Sequence, residues 1–305
     1  MAHEQPQCPC CNATEITSIG RLPDATQFAG KILDAPLPGG ILYQCSDCRL
    51  KFRFPVQDVD AYRRLYDTGQ SSAWTNKIVR HDWERIVEKV DSAGVRNAKV
   101  LDFGCNTGGL LAALGNRYER FGIEINHAAA AVAAQRAGAQ VWSDLDDVPQ
   151  ESRFDFIVVV DVIEHVENPL MLIDRLSGFL TTGGRLIVTT GDAGNVLWNR
   201  FGANWWYCFH SEHISFVSKP WLHYLVDNRE LNLVAYERFR YRKLSPIRFA
   251  AHGILMVLYG FFPSVYLGLG NVLKRLRSRP PVASVLGNGI SRDHLLFVLS
   301  INNDS

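Results

Sequence analysis

Four groups of residues in this chain have the types and spacing to do chemistry. Cys8-Pro9-Cys10-Cys11 and Cys45-Ser46-Asp47-Cys48 each supply a Cys-x-x-Cys pair, Cys8 with Cys11 and Cys45 with Cys48. Two residues between thiolates let both sulfurs reach one ion. Two such pairs make the closed tetrahedral site of structural zinc, with no open position for catalysis. Cys10 is the spare, and free thiols are the competing reading. Asp102-Phe103-Gly104-Cys105-Asn106-Thr107-Gly108 is a glycine-rich turn, and Glu124 ends the apolar run after it. Asp161-Val162-Ile163-Glu164-His165-Val166 closes a longer apolar run. Residues 198–213 (WNRFGANWWYCFHSEH) set His210, Glu212 and His213 among aromatics.

The elements that must position these groups follow from periodicity. Val100 and Leu101 end a buried strand, and Leu110 to Tyr118 continues with helical spacing after Gly108 and Gly109. Strand, glycine turn and helix in that order form the nucleotide-binding corner of a doubly wound α/β sheet. The glycines admit close backbone approach, and the helix N-terminus offers free N–H groups. Glu124, at the tip of the second strand, is placed to bond both hydroxyls of a ribose. Phe154–Val160 (FDFIVVV) reads as a strand buried on both faces. The Asp161–Val166 motif then sits at its C-terminal end, where ligands bind in such sheets.

Together these motifs resemble the class I S-adenosylmethionine-dependent methyltransferases, of the ubiquinone-biosynthesis type, over roughly Val100–Ser218 and again at the last strand. Asp102 to Gly108 matches the family's Asp-x-Gly-x-Gly-x-Gly, with Asn106 in place of the middle glycine. Asn tolerates positive φ, so the turn survives the change. The resemblance implies a seven-stranded Rossmann-like sheet with S-adenosylmethionine held by Asp102, Gly104, Asn106, Gly108, Glu124, Asp144 and Asp161. Asp144 is the position that reads the adenine amino group in the family; helix capping is its other reading. Asp161 to Val166 matches the family's Asp-x-x-Glu-His-x, in which His165 positions more than it catalyses. His213-Ile214-Ser215-Phe216 matches a His-x-x-Phe ahead of the helix Lys219–Asn228. The residues after the fifth strand build the acceptor pocket in this family. Trp205, Trp206 and Tyr207 are therefore either stacking surfaces or an aromatic roof. An N-terminal zinc module ahead of this fold also resembles deoxysugar C-methyltransferases, although the chain lacks their extra C-terminal domain.

At 305 residues, 47% apolar and 21% charged, the chain divides into four segments. Residues 1–70 are the zinc module and linker, 71–245 the methyltransferase domain, 246–284 an insertion, and 285–305 the last strand. Ser71–Val90 is a predicted helix that either covers the cofactor or packs on the sheet. The net charge of +1 gives no case for nucleic acid, yet residues 237–279 hold nine lysines and arginines against Glu237 alone. MAHEQPQCPC lacks the basic start and apolar core of a signal peptide, so a cytoplasmic location is expected. Phe249–Leu273 carries no charged residue and is broken by Pro263, which predicts a helical hairpin. Val265, Leu269, Val272, Leu273 and Leu276 share a helical face flanked by Lys274, Arg275 and Arg277. Such a face suits peripheral contact with an anionic membrane surface. Coverage of its own domain and a dimer interface stay open, as does oligomeric state.

The expected function is methyl transfer to a small-molecule, sugar or lipid-linked glycan acceptor, at oxygen or carbon. A quinone-like aromatic hydroxyl is the runner-up. A methyltransferase-like fold kept as a binding or scaffold module is the alternative from another class. Where the acceptor is a hydroxyl, the base is sought among His213, His210 and His165, in that order. Purified protein is expected to carry about one zinc per chain. Cys8→Ser or Cys45→Ser should lose metal and stability together, and Cys10→Ser should be nearly neutral. Equal losses for all three, by metal analysis and thermal melting, would overturn this ligand set.

Overall fold

The computed structural model describes residues 6–28, 31–56, 59–67, 80–241, 244–262, 265–266 and 290–301. A seven-stranded sheet forms the centre, in the order β12-β13-β10-β9-β6-β7-β8. The parallel strands are β6 (Lys99–Phe103), β7 (Glu119–Ile123), β8 (Gln140–Trp142), β9 (Phe154–Val160) and β10 (Leu180–Gly191). On one side of β10, β13 (His294–Ile301) runs antiparallel to it and to the edge strand β12 (Leu231–Phe239). The predicted sixth and seventh strands thus pair despite the long insertion between them. Val158, Ile157 and Val159 of β9 are fully enclosed, as a central strand covered on both faces must be.

Helices α3 (Gly109–Leu114) and α4 (His127–Ala137) flank one half of the sheet, and α5 (Pro169–Ser177) and α7 (Lys219–Asp227) the other. Helix α3 stops at Gly115, short of the predicted Tyr118, because Gly115 takes a positive φ. Asn126 caps α4 by accepting from the Ala129 N–H, and Asn168 caps α5 in the same way from Met171. The predicted helix Ser71–Val90 lies largely outside the described residues. What is described is α2 (His81–Ser92), which buries Ile86 and Val90 against the sheet.

The N-terminal module is a second, four-stranded sheet ordered β1-β4-β5-β11. Strands β1 (Ile16–Arg21), β4 (Ile41–Cys45) and β5 (Lys51–Phe54) come from the module itself. The fourth, β11 (Ser215–Phe216), comes from the loop that follows the fifth parallel strand. The segment separating the two cysteine pairs holds a ribbon of β2 (Ala25–Phe28) and β3 (Lys31–Leu37). Helix α1 (Val59–Asp67) leads back to the sheet.

Residues 198–213 are too polar to be buried whole, and Asn199, Arg200, Asn204 and His210 are exposed while Trp198, Trp205, Tyr207, Cys208, Glu212 and His213 are buried. Trp205 stacks between Trp198 and Phe201, so it belongs to an aromatic roof and cannot stack on an acceptor. The insertion opens with α8 (Pro246–Phe261), which seats Met256 and Tyr259 on this roof. Its other face leaves Ile247, Ile254 and Phe261 at 83%, 70% and 73% exposure. Beyond Tyr266, the second arm of the predicted hairpin lies outside the described residues. No helix among the described residues is long and apolar enough to cross a membrane.

Candidate functional site

The turn between β6 and α3 is shaped by close approach. Gly104 has φ +82°, and a Cβ there would sit 2.5 Å from a Val162 methyl. Asn106 takes φ +46°, the conformation its side chain tolerates. Gly108 is different, since a Cβ on it would strike the Ala133 backbone at 2.9 Å. It lets α3 pack on α4.

Glu124 closes the turn. Its two oxygens accept from the Asn106 and Asn126 N–H groups, each at 2.9 Å. Its spare lone pairs face a cavity of about 1240 Å3 that opens at the C-terminal ends of the parallel strands. Asp102 lies at the cavity's base, and burial, then the neighbouring Glu124 charge, push its carboxyl up to about 7. Burial also raises Glu124. Asp144 lines the cavity and at the same time caps a 3-10 turn, accepting from the Asp146 N–H at 3.2 Å. Asp144 is thus a cap of this turn that also stands at the cavity wall.

The same cavity continues into a second chamber. Asp161, at φ +51°, pairs with Arg80, whose guanidinium also holds Asp82 and lies over the Tyr241 ring at 5.5 Å. Burial would raise the Asp161 carboxyl, but the Arg80 charge overrides it and keeps it low. Glu164 is almost fully enclosed, with a carboxylate that accepts from the Tyr207 hydroxyl and from Thr190 Oγ1. Tyr207 in turn accepts from the Gly191 N–H.

The structure brings all three predicted histidines together. Ring centroids of His210 and His165 lie 4.8 and 4.9 Å from that of His213. The Nδ1 of His213 is 2.9 Å from the Tyr207 carbonyl, which only accepts, so the proton sits on Nδ1 and the lone pair on Nε2. His165 has the same tautomer, donating to the Glu212 carbonyl beside Tyr66. Burial, then the nearby His210, hold His213 well below the ordinary histidine range. His213 is thus neutral and able to accept a proton at neutral pH. Glu164, His165 and His213 also bring one donor atom each within 4.8 Å of one another, although both Glu164 oxygens are already bonded to hydroxyls.

Several lining residues escaped the sequence. Tyr66, Arg80, Tyr241 and His294 all face the chamber, and His294 stacks on Tyr241 at 4.5 Å. They come from helix α1, α2's N-terminus, the segment just past the edge strand β12, and the start of β13, where no motif marks them. Asn12 and Gln27 of the N-terminal module line the cavity as well. In that module the Cys8–Cys48 and Cys11–Cys45 sulfurs are 3.4 and 3.5 Å apart, and all four lie within 4.8 Å. Tetrahedral zinc with about 2.3 Å bonds sets sulfurs about 3.8 Å apart, so the four fit one ion. Cys10 stands outside the cluster.

Among curated proteins, the chain is 31% identical over 117 residues to a ubiquinone biosynthesis O-methyltransferase of Rickettsia felis, covering 35% of this chain and 48% of that one. It is 28% identical over 114 residues to the namesake of Psychrobacter arcticus, covering 34% and 44%. The chain spans about half the length of the curated relatives it matches. The N-methyltransferase NodS of Bradyrhizobium japonicum, solved with S-adenosylhomocysteine, aligns over 79% of this chain and 97% of its own at 14% identity and a TM-score of 0.48. A family profile described as a methyltransferase domain matches residues 75–236, more than half of the sequence. With the strand order and the Asp102–Glu124 corner already in place, the chain belongs to the class I S-adenosylmethionine-dependent methyltransferase family.

Proposed function

We propose that this protein transfers a methyl group from S-adenosylmethionine to a polyhydroxylated acceptor, a sugar or lipid-linked glycan. One observation carries the reading: a single cavity joins the Glu124 corner to a chamber lined by aromatic rings, a neutral histidine and the amides of Asn12 and Gln27. Rings and amides are the usual surface for a sugar's apolar faces and hydroxyls. S-adenosylmethionine supplies an activated methyl and its own leaving group. Asp102, Gly104, Asn106, Glu124 and Asp144 would hold it, since the glycine cradle and the Glu124 oxygens suit a ribose and its flanking groups. The protein's work is then alignment, exclusion of water and acceptance of a proton at His213 Nε2. His210, bridged to Glu212, and His165, bonded to Tyr66, orient that ring. The four clustered cysteines would hold zinc as a structural ion, remote from the chemistry.

The similarity to ubiquinone O-methyltransferases favours a second reading, a quinone-like aromatic hydroxyl as acceptor. Comparing methylated metabolites of cells with and without the gene separates the two. A methyl missing from envelope glycans supports the first, and one missing from quinone precursors supports the second. The exposed face of α8 and the basic run after it suit an anionic membrane surface, where a lipid-linked acceptor resides.

Glu124→Ala should weaken S-adenosylmethionine binding by roughly 1–3 kcal/mol in calorimetry, the cost of leaving ribose hydroxyls unpaired. His213→Ala should lower turnover and spare cofactor affinity. Because His213 is held below 6.5, the acid limb of the rate profile should fall below that pH; a limb at or above it removes His213 as the base. The intact protein should float with anionic liposomes at low salt, and a variant lacking residues 246–279 should not. Failure of the intact protein to float ends the membrane assignment.

A further inference from the structure

Arg53 is the least expected charge in the molecule. It sits in β5 of the N-terminal module at 4% exposure, and no carboxylate pairs with it among the described residues. Its guanidinium instead donates to four carbonyls. Nε reaches His213 at 3.1 Å, Nη1 reaches Gly39 at 2.6 Å, and Nη2 reaches Cys208 and His210 at 2.9 and 3.2 Å. Its backbone N–H donates to the Ile214 carbonyl at 2.9 Å. Three of the four side-chain partners belong to one loop, residues 208–213, which carries His210 and His213 of the chamber.

Burying a guanidinium is unfavourable unless its donors are satisfied, and burial does lower the Arg53 pKa. Only arginine offers a planar fork of five donors able to engage several carbonyls at fixed angles. We propose that Arg53 is a positioning residue that fixes the acceptor loop from the N-terminal module, so that the module's metal site acts on catalysis through His213. The inference rests on His213 being the base. The route from metal to loop is short in sequence. Cys45 ends β4, Cys48 follows in the connecting turn, and β5 begins at Lys51. A metal held by this turn clamps the β4–β5 hairpin that carries Arg53. The hairpin in turn pairs with β11, Phe52 facing Ser215 and Lys51 facing Phe216. Lys51 reinforces the seam by donating to the Ala193 carbonyl and to Asn199 Oδ1.

The test uses full-length, zinc-loaded protein labelled with 15N-histidine, wild type against Arg53→Lys. The groups facing His213 are His210, His165, Glu164, Arg53 and the Tyr207 carbonyl, so its ring resonances report the loop's position. In wild type, His213 should keep its proton on Nδ1 and stay neutral as pH falls through 6.5. In Arg53→Lys the ring should average between tautomers and titrate nearer the ordinary range, with S-adenosylhomocysteine affinity unchanged within about twofold, because the cofactor corner shares no partner with Arg53. Unaltered His213 titration and tautomer in Arg53→Lys would overturn the proposal. Wild type that fails to bind S-adenosylhomocysteine would count against the methyltransferase reading alone, since the histidine signals still report on Arg53. If Arg53→Lys does not fold, hydrogen exchange of the wild type decides. Amides of Cys208, His213 and Ile214 should open together with those of β5. Loop amides exchanging independently of β5 would refute the coupling.

Discussion

Glu164 is the interaction on which the site depends. A carboxylate enclosed at the C-terminal edge of β9 is tolerable only with its oxygens bonded, and Tyr207 and Thr190 provide those bonds. Burial, then the nearby Asp161 charge, raise its pKa. The Glu164 backbone carbonyl accepts from the Ile214 N–H at 2.8 Å. One residue of the turn after β9 therefore fixes both ends of the histidine-bearing loop, Tyr207 at its start and Ile214 at its end.

That arrangement divides the labour of the molecule. The cofactor half is built from strand tips and turns of the sheet and needs little beyond close packing and the Glu124 bonds. The second chamber is assembled from distant parts: a loop after β10, Tyr66 of α1, the N-terminus of α2, Tyr241 just past β12, and His294 at the start of β13. The N-terminal module joins this chamber through the β5–β11 seam and the buried, hydrogen-bonded charges of Lys51 and Arg53.

The corner formed by Asp102, Gly104 and Glu124 was legible in the sequence because the residues stand at the ends of apolar runs and the turn between them matches a family motif, and the proximity of His210 and His213 was legible from their cluster. Gly108 shows a role the sequence does not separate from ligand approach, since a side chain there would meet the Ala133 backbone. Residues 198–213 read as too polar to be buried whole, and in the fold their buried polar groups bond to one another and to buried partners. Arg80, Tyr241 and His294 leave no local signal, since only the strand order brings them to one chamber. Lys51 and Arg53 do leave one: charges in an otherwise apolar strand, KFRF, which here are satisfied by carbonyls and an amide oxygen and not by solvent.

The central claim is that this fold is a working cofactor-dependent enzyme and not a scaffold that has kept the shape. The most direct measurement is calorimetric titration of the intact, zinc-loaded protein with S-adenosylmethionine. The account predicts saturable binding at one site per chain, lost in a variant of the Glu124 corner. Absence of any binding heat over a wide cofactor range, from protein that is folded and carries its metal, would contradict it.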